Sequence, residues 1–171
     1  PYQFGFRKAR STTQPLFIYR RVLELSEEAC LPMYTILLDW EKAFDKVHQD
    51  RLIIALKRMG IPEHLVELIK DMYRDPQFRV KDGGRCTNFR PQRSGIRQGC
   101  PLSPYLFDLL LTVVFHDIYA QFDQETRQAI EQGKPHKAVS TELFYADDTL
   151  LTANNADVVE TVLHAIQIES A

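Results

Sequence analysis

The stretch Leu-Phe-Tyr-Ala-Asp-Asp-Thr-Leu-Leu, residues 143–151, places two adjacent carboxylates between two apolar segments. The flanking residues are typical of buried β-strands, so the pattern predicts a hairpin over residues 138–153 with Asp147 and Asp148 near its tip. Two carboxylates this close are costly to bury together in ionised form, and a divalent cation would resolve that conflict. The alternative interpretation is a solvated hairpin turn, where Asp is common.

A second carboxylate block follows another predicted strand. Residues 33–38, Met-Tyr-Thr-Ile-Leu-Leu, form a continuous apolar run after Pro32 and predict a buried strand that ends at Asp39. Together with Asp147 and Asp148, Asp39 forms a candidate three-carboxylate cluster whose oxygen-only ligands suit Mg²⁺ or Mn²⁺. Asp45 is either a further ligand or a carboxylate at the start of the next helix.

A third block covers residues 94–104, Ser-Gly-Ile-Arg-Gln-Gly-Cys-Pro-Leu-Ser-Pro. Its two glycines, Gly95 and Gly99, allow a close backbone approach, and Gln98 offers an amide that can contact a base or a sugar. Ser103 with a following proline predicts the start of a helix behind the loop. The block is equally compatible with a plain loop that ends in a helix cap.

Apolar periodicity predicts the remaining elements. Helices are expected from Thr12 or Thr13 onward, over residues 52–59, from Pro62 to before Pro76, behind Ser103, and after Asn154 or Asn155. Residues 78–81 and 87–91 predict two short strands around an Asp-Gly-Gly turn, and residues 121–137 predict a loop or a frayed helix. Strands interleave with helices without regular alternation, so the expected fold class is α+β.

Composition limits the class of protein. The 171 residues are 44% hydrophobic and 26% charged, which is typical of a soluble globular domain, and no apolar run is long enough to cross a membrane. Three cysteines and five histidines show no zinc-ligand spacing. The sequence starts without an initiator Met or a signal-peptide pattern, so we expect a fragment of a longer protein.

Charge is distributed unevenly although the net charge is only −2. Residues 1–21 contain five Lys or Arg and no acid, and residues 79–97 contain six against a single Asp82. Two basic segments beside an acidic centre favour phosphate backbones held around a metal site. Two solvated basic surfaces are the alternative interpretation.

Four blocks in this order resemble reverse transcriptases. They are Gln3 to Thr13 (QFGFRKARSTT), Asp39-x4-Phe44-Asp45, Gly95 to Pro104, and Phe144 to Asp148. The first block resembles the fingers block of the non-LTR retrotransposon and group II intron branches, and the overall match resembles the polymerase of non-LTR (LINE-type) retrotransposons. The resemblance implies a right-hand polymerase with an antiparallel palm sheet packed on helices: fingers over 1–33 and 47–96, palm over 34–46 and 97–171, and the thumb absent.

The resemblance also implies roles for individual residues. Asp39, Asp147 and Asp148 correspond to the catalytic carboxylates that bind two Mg²⁺ ions, with Mn²⁺ as a possible substitute. Phe44 corresponds to a steric gate against ribonucleotides, although a core aromatic is also compatible. Contacts to the incoming nucleotide or the primer end are implied for Trp40, Ala43, Gln98, Gly99 and Tyr145. Contacts to phosphate or template are implied for Arg7, Arg10 and Arg97, and the alternative for each is a solvated arginine.

The implied activity is RNA-directed DNA synthesis: dNTPs are added to a DNA primer on an RNA template, by part of a polyprotein with a thumb and an endonuclease elsewhere. Such enzymes work in the cytoplasm and nucleus. A catalytically inactive nucleic-acid-binding relic and an RNA-directed RNA polymerase are the alternatives.

Ala9 stands where the family usually has Gly, and a left-handed Ala9 would cost about 1 kcal/mol. The basic upstream fingers block and the thumb are not in the sequence, so residues 1–171 alone are expected to be inactive or nearly so.

Overall fold

The computed structural model describes residues 2–136 and 141–169. Over these ranges the chain combines α-helices with short antiparallel strands, which agrees with the α+β prediction. The helices are α1 (Thr13–Glu28), α2 (Gln49–Arg58), α3 (Glu63–Met72), α4 (Ser103–Gln121), α5 (Gln124–Gln132) and α6 (Ala156–Glu169). The strands are β1 (Tyr34–Leu38), β2 (Gln77–Phe78), β3 (Lys81–Asp82), β4 (Arg85–Cys86), β5 (Arg90–Pro91), β6 (Glu142–Tyr145) and β7 (Asp148–Ala153).

The chain forms two compact units. The first comprises Pro1–Glu41 and Val114–Ala171, and the second comprises Lys42–Val113. Helix α4 starts in the second unit and ends in the first. The predicted limits of fingers and palm stay a prediction, since these units are defined by compactness alone.

A three-stranded antiparallel sheet in the order β1-β7-β6 forms the centre of the first unit. On one face Phe115, near the end of α4, packs edge-on against Phe144 with ring centroids 4.7 Å apart. Helix α6 contacts β1 and β7 and buries an apolar stripe that includes Val162. Apolar burial of this kind is the main stabilising term in a small domain, at roughly 25 cal/mol per Å².

The hairpin of β6 and β7 confirms the central prediction from the sequence for its described part. Tyr145 pairs with Asp148, so Ala146 and Asp147 form a two-residue turn. The predicted start of the hairpin at Ala138 lies outside the described residues. Strand β1 is present as predicted, but the prediction that it is buried is wrong: none of its residues is buried, and Leu37 is 78% exposed. The start of α6 matches prediction, with the Asn155 side chain accepting from the Asp157 amide at 2.9 Å.

Two details of the first unit are settled by local contacts. Of the two alternatives predicted for residues 121–137, a loop or a frayed helix, a helix is present over residues 124–132 as α5, because Asp123 caps it by accepting from the Thr126 amide at 2.8 Å and Ile130 is buried on one side. The sequence predicts Thr12 or Thr13 as the cap of α1; the helix begins at Thr13, but Thr12 makes no side-chain cap. Instead, the Ser11 amide donates to the Gln14 side chain at 3.2 Å.

In the second unit α2 packs against α3. The helical spacing of Leu52 and Leu56 predicts the apolar face of α2, and both are buried. The same spacing predicts Leu65 and Leu68 for α3, but these are 41% and 59% exposed, and α3 buries Val66 and Ile69 instead. Both sets in α3 have helical spacing, so the sequence alone does not choose between two neighbouring stripes. Helix α4 begins at Ser103 as predicted, and the Ser103 hydroxyl donates to the Arg97 carbonyl oxygen at 2.6 Å. Its long apolar sequence also predicts a buried helix, and α4 is largely buried.

An exposed antiparallel ribbon extends over residues 77–91, and we call it the basic arm. Strand β2 pairs with β5, and β3 pairs with β4 around a Gly83-Gly84 turn. The two predicted strands are therefore present, but the pairing is interrupted between the two short ladders. All four strands are exposed on both faces. No helix in the described ranges is long and apolar enough to cross a membrane.

Candidate functional site

The ladder between β1 and β7 brings two of the three predicted carboxylates together. Leu38 pairs with Thr149 at the last position of this ladder. Continuing the register by one residue sets Asp39 opposite Asp148, and residues so paired have Cβ atoms roughly 5 Å apart. The side chains of Asp39 and Asp148 are exposed. Asp147, which precedes Asp148 in the turn, is half-buried. The ladder end therefore collects negative charge from two distant parts of the sequence.

The donor chemistry of this ladder end fits a hard divalent cation. Within the described residues, the side chains of Asp39, Asp147 and Asp148 take part in no hydrogen bond or ion pair, so their carboxylate oxygens are available. As the side chains are placed, no three Asp, Glu, His or Cys residues of the described part converge on a single ion position. The fit consequently rests on backbone position and ligand type, because an exposed Asp side chain can change rotamer at low cost.

Trp40 fixes the chain immediately after Asp39. Its indole Nε1 donates to the Thr149 hydroxyl at 3.0 Å, and Thr149 is buried beside Asp148. This bond links Trp40, which follows Asp39, to Thr149, which follows Asp148. Trp40 thus has a structural role in this ladder, in addition to the contact to the incoming nucleotide that the resemblance implies.

A cavity of about 440 Å³ lies between α1 and the sheet. Its lining is mainly apolar and includes Tyr19, Leu37 and Leu150. Asp39 and Asp148 also line it, as does Tyr145, the predicted contact to the primer end. The carboxylates consequently border a concave surface rather than a flat one.

The N-terminal segment supports the hairpin turn, and the functional prediction missed this. The Phe4 amide donates to the Phe144 carbonyl at 2.8 Å, and the Phe144 amide donates to the Tyr2 carbonyl at 3.0 Å, so the segment runs beside β6. The Gln3 side chain bonds to both backbone polar groups of Ala146. The signal in the sequence is the Gln3–Thr13 block, for which the resemblance implies roles for Arg7 and Arg10 but none for Gln3.

In the second unit, the loop of the third block lies on the turn that carries Phe44 and Asp45. The Ile96 amide donates to the Phe44 carbonyl at 2.8 Å, and the Gln98 amide group donates to the Asp45 carboxylate at 2.9 Å. A Cβ on Gly95 would lie 2.9 Å from the Asp45 carbonyl oxygen, which confirms the predicted close approach there. Asp45 lies four residues before α2, so the prediction that it starts this helix is wrong.

The proposed nucleotide contacts in this unit are accessible. Phe44 is half-buried and stacks on Phe107 of α4 with ring centroids 5.0 Å apart, while Ala43 is also half-buried. Gln98 and Gly99 are exposed. Phe44 is thus anchored through one face of its ring, which is compatible with both roles considered for it.

The three arginines selected as phosphate or template contacts are exposed, and each has an intrachain contact. Arg7 donates to the Gln3 carbonyl at 3.4 Å, and the Arg10 guanidinium lies 5.2 Å from the centroid of the Phe4 ring. Arg97 donates to the Met72 carbonyl at 3.2 Å. None of these contacts neutralises the positive charge, so the predicted roles stay open.

Among the groups with shifted pKa values, Glu142 and Cys100 bear on the stability and reactivity of the chain. Burial raises the pKa of the Glu142 carboxyl to about 7. Hydrogen bonding from the Leu102 amide lowers the pKa of the Cys100 thiol. Neither group lies among the predicted site residues.

Comparison with known families and relatives gives a consistent result. The profile of the family described as reverse transcriptase (RNA-dependent DNA polymerase) matches residues 1–170. The Pol polyprotein of the type-1 retrotransposable element R2 from Nasonia vitripennis is 32% identical over 138 residues, covering 79% of this chain and 12% of that protein. The RNA-directed DNA polymerase from the mobile element jockey of Drosophila melanogaster is 26% identical over 162 residues, covering 92% of this chain and 16% of that protein.

A solved structure shows the same fold. Telomerase from Candida albicans, in complex with a fragment of telomeric RNA, superposes with a TM-score of 0.69 at 14% sequence identity. The match covers 95% of this chain and 28% of the telomerase chain. Such a likeness supports a polymerase fingers-and-palm arrangement of mixed helices and antiparallel sheet.

Proposed function

The chain belongs to the reverse transcriptase (RNA-dependent DNA polymerase) family, and from that membership we propose that it carries the catalytic carboxylates of an RNA-directed DNA polymerase from a non-LTR retroelement. Its relatives include polymerases of retrotransposable elements, as the motif order predicts. The chain spans less than one-sixth of the length of these two relatives. The activity is therefore proposed for a full-length polymerase that contains this sequence.

The observation that carries the proposal is the register of the β1–β7 ladder, whose last pair is Leu38 with Thr149. Asp39 and Asp148 are more than one hundred residues apart in the sequence, and each is the next residue of its chain segment beyond that pair, so continuing the register sets them opposite each other. Asp147 lies one residue away in the turn. A solvated hairpin turn, the alternative for Asp147 and Asp148, offers no reason for a third carboxylate to end the neighbouring strand at this position.

In this proposal Asp39, Asp147 and Asp148 hold two Mg²⁺ ions, with Mn²⁺ as a substitute. When bound, such ions activate a primer 3′-hydroxyl and neutralise charge on the phosphates of the incoming nucleotide. The contribution of the chain is to present oxygen ligands from a rigid strand end. Trp40 and Thr149 support that rigidity through the 3.0 Å bond between their side chains.

We assign nucleotide selection to Phe44 and its neighbours. Stacking on Phe107 holds the Phe44 ring in one orientation, so it can oppose a ribose 2′-hydroxyl. Gln98 and Gly99 are exposed in the loop that lies on the Phe44 turn, which supports their proposed contacts to the incoming dNTP.

The proposed partners are an RNA template and a DNA primer, and the charge of the basic arm supports them. Within the described residues, Arg79, Lys81, Arg85 and Arg90 form no ion pair with a carboxylate. By contrast, Arg20 and Arg21 of α1 both bond to Glu24. Unneutralised cations on an exposed ribbon suit phosphate contacts, whose strength falls with added salt. The family inference of action in the cytoplasm and nucleus belongs to the same proposal.

Primer extension tests the carboxylate assignment. A full-length polymerase carrying this sequence should extend oligo(dT) on poly(rA) with dTTP and Mg²⁺. Asp147→Asn should reduce the rate by more than about 100-fold, because losing several kcal/mol of charge stabilisation costs tenfold per 1.4 kcal/mol. The control is Asp157→Asn, an exposed carboxylate in the first turn of α6. Full synthesis by Asp147→Asn would show that the assignment is wrong.

Nucleotide choice tests the role of Phe44 and separates DNA from RNA synthesis. Phe44→Ala should increase ribonucleotide incorporation, while Phe44→Tyr, which keeps the ring, should leave discrimination close to that of the wild type. A wild-type enzyme that prefers ribonucleotides would instead support the RNA-directed RNA polymerase. A full-length, folded protein that binds template and primer without synthesis would support the inactive relic.

A further inference from the structure

Gln3 makes an unusually complete set of bonds to the turn that precedes the paired aspartates. Its Nε2 donates to the Ala146 carbonyl at 3.1 Å, and its Oε1 accepts from the Ala146 amide at 3.0 Å. The same Oε1 accepts from the Gly5 amide at 2.8 Å. Since a backbone amide only donates and a carbonyl only accepts, a single orientation of the Gln3 carboxamide satisfies all three partners.

Gly5 lets the N-terminal segment touch the same turn directly. A Cβ at Gly5 would lie 2.2 Å from the Ala146 nitrogen and 2.8 Å from its Cα, distances at which no side chain fits. Two backbone hydrogen bonds hold the N-terminal segment against β6: the Phe4 amide donates to the Phe144 carbonyl, and the Phe144 amide donates to the Tyr2 carbonyl. The contact between the segment and the Ala146 backbone is therefore fixed in position and distance.

The turn needs this support because of its own geometry. Tyr145 and Asp148 pair with each other, so the backbone groups of Ala146 have no partner in the ladder. Ala146 is nevertheless buried and has a φ of 57°, a value that L-residues other than Asn and Asp rarely adopt. A buried, strained residue with unpaired polar groups would relax, and its relaxation would move the two aspartates that follow it.

We propose that Gln3 is a positioning residue that holds the Ala146-Asp147 turn, and so fixes where Asp147 and Asp148 stand relative to Asp39. This inference rests on the proposed function of the three carboxylates. Gln3 contacts neither substrate nor reacting atoms, and it acts only through the backbone of Ala146. Its effect falls first on the affinity of the carboxylates for a divalent cation, because metal ligands displaced by a fraction of an ångström bind less tightly.

The test uses Gln3→Met, which keeps the length of the side chain and removes its hydrogen bonds, and Gln3→Asn, which is too short to bridge both groups of Ala146. The matched control is Gln128→Met on the exposed side of α5. All are made in a full-length polymerase that carries this sequence. Binding of Mn²⁺ alone is followed by electron paramagnetic resonance of the free ion, and the folded fraction is followed by circular dichroism.

Folded Gln3→Met should bind Mn²⁺ about tenfold more weakly than the wild type, as expected for loss of a residue that orients metal ligands. The Mg²⁺ concentration for half-maximal primer extension should rise by a similar factor, and excess cation should restore part of the rate. Gln3→Asn should show a smaller shift, and Gln128→Met none. If Gln3→Met does not fold, the shift in Gln3→Asn decides the question.

Unchanged cation affinity and unchanged Mg²⁺ dependence in folded Gln3 variants would overturn the inference, even if their melting temperature fell, since that pattern describes a purely structural residue. The proposed function fails separately, and the inference with it, if Asp147→Asn binds Mn²⁺ as tightly as the wild type. Comparing the two variants in the same titration therefore tells the two failures apart.

Discussion

A comparison of Gly95→Ala with Gly99→Ala measures how closely the loop of residues 94–104 lies on the Phe44 turn. Both glycines have positive φ, 88° and 80°, so each substitution carries the cost of a left-handed alanine, about 1–2 kcal/mol. Reduced freedom of the unfolded chain offsets roughly 0.4–1 kcal/mol of that cost. Gly99→Ala meets no atom within 4 Å, so its net destabilisation should be about 1 kcal/mol or less.

Gly95→Ala carries an additional cost. Its Cβ would lie 2.9 Å from the Asp45 carbonyl oxygen and 3.0 Å from the Asp45 Cα, and these are backbone atoms that a rotamer change cannot move. The loop must therefore retreat and weaken the bonds that hold it, including the 2.7 Å bond from the Gly95 amide to the Val47 carbonyl. Losing one or two such bonds at about 1 kcal/mol each gives a total of roughly 2–3 kcal/mol.

Thermal unfolding followed by circular dichroism measures the difference between the two variants. For a chain of this length, about 1 kcal/mol corresponds to a shift of roughly 2–4 °C in melting temperature. Gly99→Ala should therefore lower the melting temperature by a few degrees, and Gly95→Ala by roughly twice as much or more. Hydrogen exchange of the Ile96 amide, which bonds to the Phe44 carbonyl, should accelerate only in Gly95→Ala. Equal shifts in both variants would refute the close approach as a source of stability.

Three further predictions concern single residues elsewhere. Ala9 has a φ of 61°, so Ala9→Gly should raise the free energy of unfolding by roughly 0.5–1 kcal/mol, measured by urea denaturation; a decrease would contradict the backbone conformation. Burial raises the pKa of Glu142 from 4.5 to about 7, so the folded state prefers the protonated acid and stability should fall as pH rises from 4.5 to about 7. Glu142→Gln should flatten that part of the melting-temperature profile, and an unchanged slope would exclude Glu142 as its origin. The lowered pKa of Cys100 predicts faster alkylation by iodoacetamide at pH 7 than at Cys30, followed by peptide mass spectrometry, although Cys30 is the more exposed thiol.

Local patterns predicted the elements that carry the carboxylates. The apolar run before Asp39 and the apolar segments on either side of Asp147 and Asp148 are short-range signals. Strand β1 begins within one residue of its predicted start, and β7 ends at the predicted Ala153. The buried helix α4 was equally clear because its apolar residues continue for four turns. These elements depend on burial of side chains close together in sequence, which is what periodicity records.

The features that escaped prediction depend on contacts between distant residues. Nothing near Gln3 indicates that its amide meets Ala146, 143 residues later, and the bond from Gln98 to Asp45 spans 53 residues. The choice between two stripes on α3 was likewise made by packing against α2 rather than by the sequence of α3 itself. Helix α5 was predicted only as one of two alternatives, a loop or a frayed helix, because its sequence is mostly polar and only Ile130 is buried.

The register of the β1–β7 ladder also limits how this part of the gene can change. The pairing advances one residue in each strand at every step, from Tyr34 with Ala153 to Leu38 with Thr149. A deletion or insertion of one residue within either strand would turn the following side chains to the opposite face and separate Asp39 from Asp148. Exchange of one apolar residue for another within the strands leaves the number of residues, and therefore the register, unchanged. Relatives that keep the site should therefore differ freely in residue type along these strands, while their alignment gaps fall in the connecting segments.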